Sequence, residues 1–478
     1  MRKAAFTFVM LSAISPLSNA TGNLIDAIES NLYSPIEIVG DAPSTLQQRM
    51  AHYQVPGLVI AVINDHELAW VKGYGVKEAG KAAPVTEETL FQVASISKAV
   101  TSTAVLHLAS QDKIDLDKEA NDYLTSWKVP DSKHTTHHPV LVRHFINHTS
   151  GLSQHGFPGY PIDQPVPNAA QILTGEAPAN TEAVHSILPP GISLKYSGGG
   201  YTALQQLLID HFDIPFAALL EQTLLSPLKM ENSTFELPLP ESKSAQVATG
   251  HPQNGLPIEG RYHQFPELAA AGLWTTAPDL AKFIIEIQTA LKGGESHLID
   301  QKTAKTLTSP SIVPYHGMGY FLNDYQRDGN GYFEHSGWNY GYVSRFVAHT
   351  QSGQGVIVLT NANQPGILSE IVNSVAKAYE WQDFSIAQRT PKTITEDEIT
   401  LAIGTYRHEN GYEMSIFREG KRLFIQFPEQ EKKELIKTAD YTFIRRDLET
   451  PMIISHQDDG VGLAFVNPDG SRTEYTKR

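Results

Sequence analysis

Residues 91–98 have the sequence FQVASISK, which places a serine hydroxyl, Ser95, and a lysine amine, Lys98, three residues apart. Apolar residues recur at helical spacing immediately afterwards, so we expect a helix over residues 98–110. Side chains three residues apart share a helix face, which allows Lys98 to reach the oxygen of Ser95. A serine needs an adjacent base to act as a nucleophile, and a lysine whose pKa is lowered by burial or a nearby cation can be that base.

The Ser-x-x-Lys spacing is not by itself diagnostic, because it occurs twice more in the chain. Residues 226–229 include a proline that interrupts a helix. Residues 374–377 lie on a later amphipathic pattern, where both polar side chains would be solvated. The context of Ser95 must therefore decide whether it is catalytic.

Composition limits the classes of function. The chain has 478 residues, of which 41% are hydrophobic, enough for a large core and for two or more domains. Its net charge of −15 disfavours nucleic acids and anionic membranes as partners. The chain has no cysteine, which excludes disulfides, a thiol nucleophile and cysteine-ligated zinc.

The N-terminal 20 residues have the pattern of a signal peptide. Arg2 and Lys3 precede an apolar run over residues 4–14, and Ser18-Asn19-Ala20 offers small residues for cleavage. We therefore expect a bacterial protein that is exported to the periplasm or secreted. No later stretch is long and apolar enough to span a bilayer.

Residues 21–381 form the first predicted domain. Two β-rich runs, 57–63 and 66–76, flank Asn64-Asp65 and predict a hairpin. Further strands are expected at 343–349 and 355–360, and the two strand blocks would join in one antiparallel sheet with flanking helices and a helical insert, an α+β fold. The remaining helices are expected at residues 139–147, 201–212, 214–225, 278–291 and 367–381.

The C-terminal part of the chain has a different pattern. Polar residues and Pro391 predict a linker over residues 382–398. Residues 399–478 contain short alternating segments separated by turns such as Pro468-Asp469-Gly470, which predicts a small all-β domain resembling a barrel.

Two further motifs follow Ser95 along the chain. Tyr196-Ser197-Gly198 lies in a glycine-rich turn before a helix, where a phenol beside a lysine can relay a proton. His335-Ser336-Gly337-Trp338 precedes a strand, where a glycine would let a substrate approach the backbone closely. Taken singly, each motif is equally compatible with an ordinary packed turn.

In this order the three motifs resemble those of the serine β-lactamase and penicillin-binding-protein superfamily. The similarity is to the branch that contains class C β-lactamases, D-alanyl-D-alanine carboxypeptidases, D-amino-acid peptidases and β-lactamase-like esterases. Residues 148–152, HTSGL, and 271–280, AGLWTTAPDL, also resemble segments of that branch. The resemblance covers about residues 40–380.

The resemblance implies a role for each motif. Ser95 would be the acylated nucleophile, Lys98 and Tyr196 would share acid and base work, and His335 would lie near Tyr196 and the substrate. The backbone N–H groups of Ser95 and Trp338 would form the oxyanion hole, and no metal or cofactor is implied. The substrate-binding positions would be Gly198, Ser336, Gly337 and Trp338.

Two positions depart from the pattern of a dedicated β-lactamase. Gly198 stands where many members have an asparagine that holds the substrate amide, and His335 stands where many have lysine. The expected substrate is therefore a peptide or amide containing a D-amino acid, a class that includes fragments derived from peptidoglycan. The alternatives are a small ester or a non-catalytic peptidoglycan-binding or sensor module.

Two other enzyme classes are disfavoured by the sequence. The Gly-x-Ser-x-Gly elbow of α/β-hydrolases does not occur. In the zinc-protease pattern His-Glu-x-x-His, Phe145 would occupy the glutamate position between His144 and His148. The histidines of this region are expected to be solvated or to cap helices; they are His134, His137, His138, His144 and His148.

Overall fold

A computed structural model describes residues 16–34, 36–323, 329–382, 384–428, 430, 432–457, 460–467 and 471–478. Residues 1–15 of the expected signal peptide and the expected turn at 468–470 lie outside the described residues. The signal peptide therefore stays a prediction.

The helices of the described residues are mostly short. They are α1 Pro16–Ser30, α2 Leu46–His52, α3 Ile96–Ser110, α4 Ala120–Tyr123, α5 Val142–Ile146, α6 Ala169–Thr174, α7 Gly198–Phe212, α8 Phe216–Leu220, α9 Leu268–Ala271, α10 Ala277–Lys292, α11 Gln301–Leu307, α12 Gly366–Ala378 and α13 Glu396–Ala402. A π-helical turn, Glu221–Leu225, continues α8, and a 3₁₀ helix covers Glu241–Gln246.

The strands fall into a central block, a C-terminal block and isolated short pairs. They are β1 Glu37–Ile38, β2 Gly57–Asn64, β3 Glu67–Gly75, β4 Phe91–Gln92, β5 Tyr160–Pro161, β6 His263–Gln264, β7 Trp274–Thr275, β8 Phe321–Asn323, β9 Tyr332–Asn339, β10 Tyr342–His349, β11 Gly355–Thr360, β12 Gln388–Arg389, β13 Gly404–Arg407, β14 Glu413–Glu419, β15 Arg422–Gln426, β16 Lys433–Ala439, β17 Thr442–Arg445, β18 Leu448–Gln457, β19 Gly460–Val466 and β20 Arg472–Lys477.

The central sheet has the strand order β3-β2-β11-β10-β9-β8, and all its neighbouring pairs are antiparallel. β2 pairs with β11 in a register that sets Val59 opposite Leu359. The N-terminal hairpin and the late strands are therefore joined in one sheet, which confirms the expected α+β fold. The helical insert lies between them in the sequence.

Burial on both faces of the sheet explains the unbroken apolar run of β2. Val59, Ala61 and Ile63 pack in the cluster that contains α3 and α10, on one face. The alternate residues face a second cluster that contains α1, α2 and α12. Successive side chains of a strand point to opposite faces, so a strand covered on both sides needs apolar residues at every position.

Several boundaries differ from the sequence expectation. The hairpin turn is Asp65-His66, one residue later than expected, and both residues have positive φ, +55° and +63°, as a two-residue hairpin turn of type I′ requires. The expected helix 139–147 is shorter because the chain enters α5 only after Leu141, whose N–H donates to Nδ1 of His144. The last expected helix of the sheet domain ends at Ala378 rather than at residue 381.

The C-terminal strands β13–β20 form a closed barrel in which each strand pairs with the next and β13 pairs with β20. The expected all-β character is confirmed. The segment expected to be a linker is partly regular: β12 pairs in parallel with β1, and α13 begins at Glu396 after a capping box of Thr395 and Glu398. Isoleucines from both parts, at positions 36, 38, 436 and 444, pack in a small cluster beside this pair.

We expect Tyr406→Ala to destabilise the barrel by about 3–5 kcal/mol, the usual cost of removing a buried aromatic ring. Tyr406 is fully buried and its hydroxyl donates to the carbonyl of Ala402 at 2.8 Å, which fastens α13 to the barrel. Because all five tryptophans precede the barrel, hydrogen–deuterium exchange of barrel peptides is the appropriate measurement. Tyr412→Ala, at a position that is 42% exposed, is the matched control and should cost less than about 1 kcal/mol; equal exchange in the two variants would contradict this packing.

Candidate active site

Ser95 lies at the N-terminus of α3, directly after β4. Ala94 has φ +49°, a left-handed conformation that turns the chain sharply into the helix. The Ser95 hydroxyl makes no capping bond to α3 and instead accepts a hydrogen bond from Nζ of Lys98 at 3.0 Å. Its backbone N–H has no acceptor among the described residues. The hydroxyl and the N–H are therefore both available to a ligand.

Lys98 is buried one helical turn further along. Only 2% of the residue is exposed, and its Nζ also donates to the carbonyl oxygen of Ala270 at 2.7 Å. Burial disfavours the charged form and lowers the pKa of the Lys98 amine to about 7. A substantial fraction of the amine is therefore neutral near pH 7 and can accept a proton from the Ser95 hydroxyl.

The short helix α9 supplies the polar environment of Lys98. A helix of one turn leaves its carbonyl groups without intrahelical partners. The carbonyl oxygen of Ala270 accepts from Lys98, and that of Ala271 accepts from Nδ2 of Asn339 at 3.1 Å. The neighbouring carbonyl of Ala269 accepts from Thr101 at 3.3 Å. α9 thus connects α3 with β9 through carbonyl oxygens and without a charged group.

Tyr196 stands at the entrance to α7. Ser197 caps α7 by accepting from the Gly200 N–H at 2.8 Å, and its hydroxyl donates to the Ser153 carbonyl at 2.8 Å. The Tyr196 phenol lies close enough to the Ser95 side chain to interact with it electrostatically, and the Lys98 amine lies 5.0 Å from the centre of its ring. Desolvation raises the pKa of the Tyr196 phenol above its usual value, and the interaction with Ser95 acts in the opposite direction.

His335 lies on β9, opposite Phe346 of β10, and is 1% exposed. Its Nδ1 is 2.7 Å from the Ser336 carbonyl oxygen. Burial, followed by the charge of Lys98, lowers the pKa of the His335 imidazole to about 3. The ring is therefore neutral at physiological pH.

Gly337 allows β9 to lie directly against the segment before Ser95. A Cβ at this position would lie 2.1 Å from the carbonyl oxygen of Val93 and 2.6 Å from Oγ of Ser344. Ser344 on β10 donates to the same Val93 carbonyl at 3.0 Å. The absence of a side chain at Gly337 thus sets the distance between the sheet edge and the start of α3.

The N–H of Trp338 faces the open edge of β9. The two-residue turn after β9 makes Asn339 and Tyr342 the closing hydrogen-bonded pair, so that Trp338 and Val343 form the next, non-hydrogen-bonded pair. The backbone N–H of Trp338 therefore points away from β10. β8 pairs with β9 only as far as Glu334, so this strand does not cover the edge beside Trp338.

Gly198 is buried rather than exposed to the cleft. Its N–H donates to the His155 carbonyl at 3.1 Å. A Cβ at Gly198 would lie 2.8 Å from the Phe157 ring and 3.0 Å from the His155 carbonyl oxygen. The loop at 155–157 therefore occupies the space that an asparagine side chain would need.

The structure brings Ser95, Lys98 and Tyr196 into mutual contact, with His335 within electrostatic reach of Lys98. Of the other expected residues, Gly337 packs beside Val93, while Ser336 and Trp338 are exposed on β9, Trp338 by 52%.

The two other Ser-x-x-Lys matches do not form comparable sites. In the first, the Ser226 hydroxyl donates to Glu221; in the second, the Ser374 hydroxyl donates to the Glu370 carbonyl.

Sequence reasoning missed the surroundings of Tyr196. His148 is buried, with its ring centre 4.2 Å from that of Tyr196 and its Nδ1 accepting from the Ser197 N–H at 3.1 Å. The expectation that His148 is solvated or caps a helix is wrong, whereas that for His144 is confirmed by its bond to Leu141. The segment HTSGL at residues 148–152, which resembles a segment of the family, was the available signal. Across the described ranges, no three acidic or histidine side chains are grouped so that they could hold a metal ion.

The Beta-lactamase family model matches residues 43–373. The chain therefore belongs to the Beta-lactamase family. The match begins before β2 and ends within α12, so it covers the central sheet and the helical insert but not the barrel.

Curated relatives share a quarter of their residues with the chain over the matched regions. A beta-lactamase of Pseudomonas fluorescens is 25% identical over 241 residues, which are 50% of this chain and 62% of that protein. A beta-lactamase of Lysobacter lactamgenus is 27% identical over 49% of this chain and 56% of that protein. Protein flp of Staphylococcus aureus (strain MW2) is 23% identical over 65% of this chain and 60% of that protein. The chain thus spans about three fifths of the length of these relatives.

Solved structures match more of the chain. An octameric penicillin-binding protein homologue from Pyrococcus abyssi has a TM-score of 0.63 at 18% identity and covers 90% of this chain and 98% of its own. The D-alanine carboxypeptidase AmpC from Burkholderia cenocepacia has a TM-score of 0.56 at 19% identity and covers 75% of this chain and 99% of its own. At these identities the similarity establishes the fold.

We expect Gly337→Ala to lower the rate of Ser95 modification by a fluorophosphonate by roughly 10²-fold, because the added methyl would push β9 away from Val93 and misplace the site by a fraction of an ångström or more. Labelling kinetics by intact mass, with a melting curve for each variant, is the measurement. Gly22→Ala, in α1, is the control, since a Cβ there meets no atom within 4 Å. A wild-type rate in Gly337→Ala would refute the close approach described here.

Proposed function

We propose that the protein is a serine hydrolase that forms an acyl-enzyme on Ser95. The observation that carries this proposal is the 3.0 Å contact between the Ser95 hydroxyl and the buried Lys98 amine, whose pKa burial lowers to about 7. A hydroxyl is a poor nucleophile until a nearby base takes its proton. The retained contact favours catalysis over a non-catalytic binding or sensor module.

Acylation begins when the neutral Lys98 amine takes the proton of Ser95 and the Ser95 oxygen bonds to the substrate carbonyl carbon. The negative charge that develops on the carbonyl oxygen is held by the backbone N–H groups of Ser95 and Trp338. Tyr196 then passes a proton to the leaving group, whose bond to carbon breaks, and regains one from Lys98. Water completes the cycle by displacing Ser95 from the acyl group with the same groups in reversed roles.

The proposed substrate is a small molecule or peptide containing a D-amino acid, with the scissile bond an amide. Family membership and the fold shared with a D-alanine carboxypeptidase support this class. A second candidate is a small acyl ester, and the surroundings of Gly198 favour it: the 155–157 loop fills the space of a side chain that would hold a substrate amide.

We further propose that the chain is exported, on the basis of the basic and apolar pattern of residues 1–20. The helices of the described residues include none that is both long enough and apolar enough to cross a membrane. Export would bring the enzyme to extracytoplasmic substrates, including fragments of peptidoglycan.

Labelling followed by intact mass tests the proposed nucleophile. We expect a fluorophosphonate to add once to the wild type and not to Ser95→Ala. Lys98→Ala and Tyr196→Phe should each slow labelling by about 10²-fold or more, the usual size of lost acid–base assistance. An adduct that persists in Ser95→Ala, or no adduct on the wild type, would overturn the mechanism.

A fluorescent penicillin in parallel distinguishes the two substrate classes. Labelling by both reagents would favour the amide substrate, whereas labelling by the phosphonate alone would favour the ester.

The pH dependence of kcat/KM tests the role of Lys98. The base must be neutral, so we expect the rate to rise with pH through about 7 and to level off above that value, because burial lowers the pKa of Lys98 to about 7. Lys98→Arg should be inactive at every pH, since a guanidinium stays charged. A rate that does not change between about pH 5 and 9 would contradict a lysine base.

A further inference from the structure

Three buried histidines form a cluster near the candidate active site, and one of them, His148, packs against Tyr196. They are His148, at the end of the turn after α5, His316, before β8, and His335, on β9. The ring centres of His148 and His316 are 5.3 Å apart, and Phe321 packs against both His316 and His335, 5.0 Å and 5.4 Å from their ring centres. The acylation steps proposed for Ser95 use none of these three side chains.

The hydrogen-bonding capacity of this cluster is incomplete within the protein. Nε2 of His148, Nε2 of His335 and both ring nitrogens of His316 are buried and have no partner in hydrogen-bonding geometry among the described residues. The Gly317 backbone lies near the His316 ring but outside that geometry. Buried polar atoms in folded proteins are almost always satisfied, by protein groups or by ordered water.

The tautomers of two rings follow from the bonds that they do make. Nδ1 of His148 accepts the Ser197 N–H, so a neutral His148 carries its hydrogen on Nε2. Nδ1 of His335 faces the Ser336 carbonyl, which can only accept, so His335 carries its hydrogen on Nδ1 and leaves Nε2 as an acceptor. A neutral His316 has one donor and one acceptor. The cluster thus has two free donors, on His148 and His316, and two free acceptors, on His316 and His335. Each free donor can be matched with an acceptor on the next histidine.

We propose that His148 and His316 are positioning residues that join His335, through buried water, in one uncharged hydrogen-bonded chain that holds Tyr196 in place. The chain runs from Nε2–H of His148 to His316 and from N–H of His316 to Nε2 of His335. The expected effect of this chain on the rate of Ser95 labelling rests on the proposed function. The hydrogen bonds themselves exist in the protein without substrate and can be tested separately.

The three histidines must be uncharged because the cluster faces the Lys98 amine. Burial is the first cause that lowers the pKa of all three rings, to about 4 for His316 and about 3 for His335. A charged ring would add a cation beside the Lys98 amine and break the His148 bond to Ser197. The titratable groups facing His148 are Lys98, His155, Tyr196, Tyr201, His316 and His335.

Nuclear magnetic resonance on ¹⁵N-histidine-labelled wild-type protein tests the chain without any activity. We expect His148 to be the Nε2–H tautomer, His335 to be the Nδ1–H tautomer, and all three rings to stay neutral down to about pH 5.5. Resonances are assigned with single His→Gln variants. A charged ring at about pH 6.5, or the opposite tautomer at His148 or His335, would overturn the proposal.

Variants at His316 test the positioning role. We expect His316→Phe, which removes both nitrogens, to slow fluorophosphonate labelling roughly tenfold and to shift the ring resonances of both His148 and His335. His316→Gln keeps one donor and one acceptor without charge, and should retain most of the wild-type rate. Melting curves separate these effects from loss of the fold.

The outcomes are distinguishable from failure of the proposed function. If the wild type itself is not labelled, the hydrolase proposal fails while the tautomer measurement still decides the chain. If the wild type is labelled through Ser95 and His316→Phe matches its rate, or if the Phe and Gln variants lose the same factor, the positioning role is refuted.

Discussion

The site depends on burial of the Lys98 amine, which has no acidic partner among the described residues. An ammonium group removed from water loses hydration worth several kcal/mol, and this loss is what lowers the lysine pKa. A carboxylate nearby would restore the charge and remove the base. The surroundings must therefore offer oxygen atoms to Lys98 but no negative charge, and the Ser95 hydroxyl and the Ala270 carbonyl do so.

The brevity of α9 is a consequence of this constraint. In a longer helix the carbonyl of Ala270 would accept an N–H four residues later and would be lost to the lysine. The chain leaves the helix at Gly272, which frees three successive carbonyl groups for α3 and β9. The same turn therefore supports the base and fixes the sheet edge relative to Ser95, so a shift of α9 would disturb both together.

Much of this arrangement could be predicted from the sequence, because the signals lie within short segments of the chain. An unbroken apolar run predicts β2, and apolar residues at helical spacing predict α3; both signals lie within the segment that they describe. The motifs at residues 95–98 and 196–198 named three groups that lie together in the fold, Ser95, Lys98 and Tyr196. What could not be predicted depends on non-local packing: the burial of His148, and the carbonyl of Ala270, which any residue type would supply.

Gly198 has one meaning as part of a sequence motif and another as a residue packed in the fold. Read as a motif, it marks a missing asparagine and a weaker hold on a substrate amide. In the fold, the His155 carbonyl accepts its N–H and the Phe157 ring lies where a Cβ would be, so the glycine and the loop are matched. Restoring asparagine alone would displace Phe157 rather than rebuild an amide-binding group. Gly198 and the 155–157 loop are therefore packed against each other, and a change at either position would act through the other.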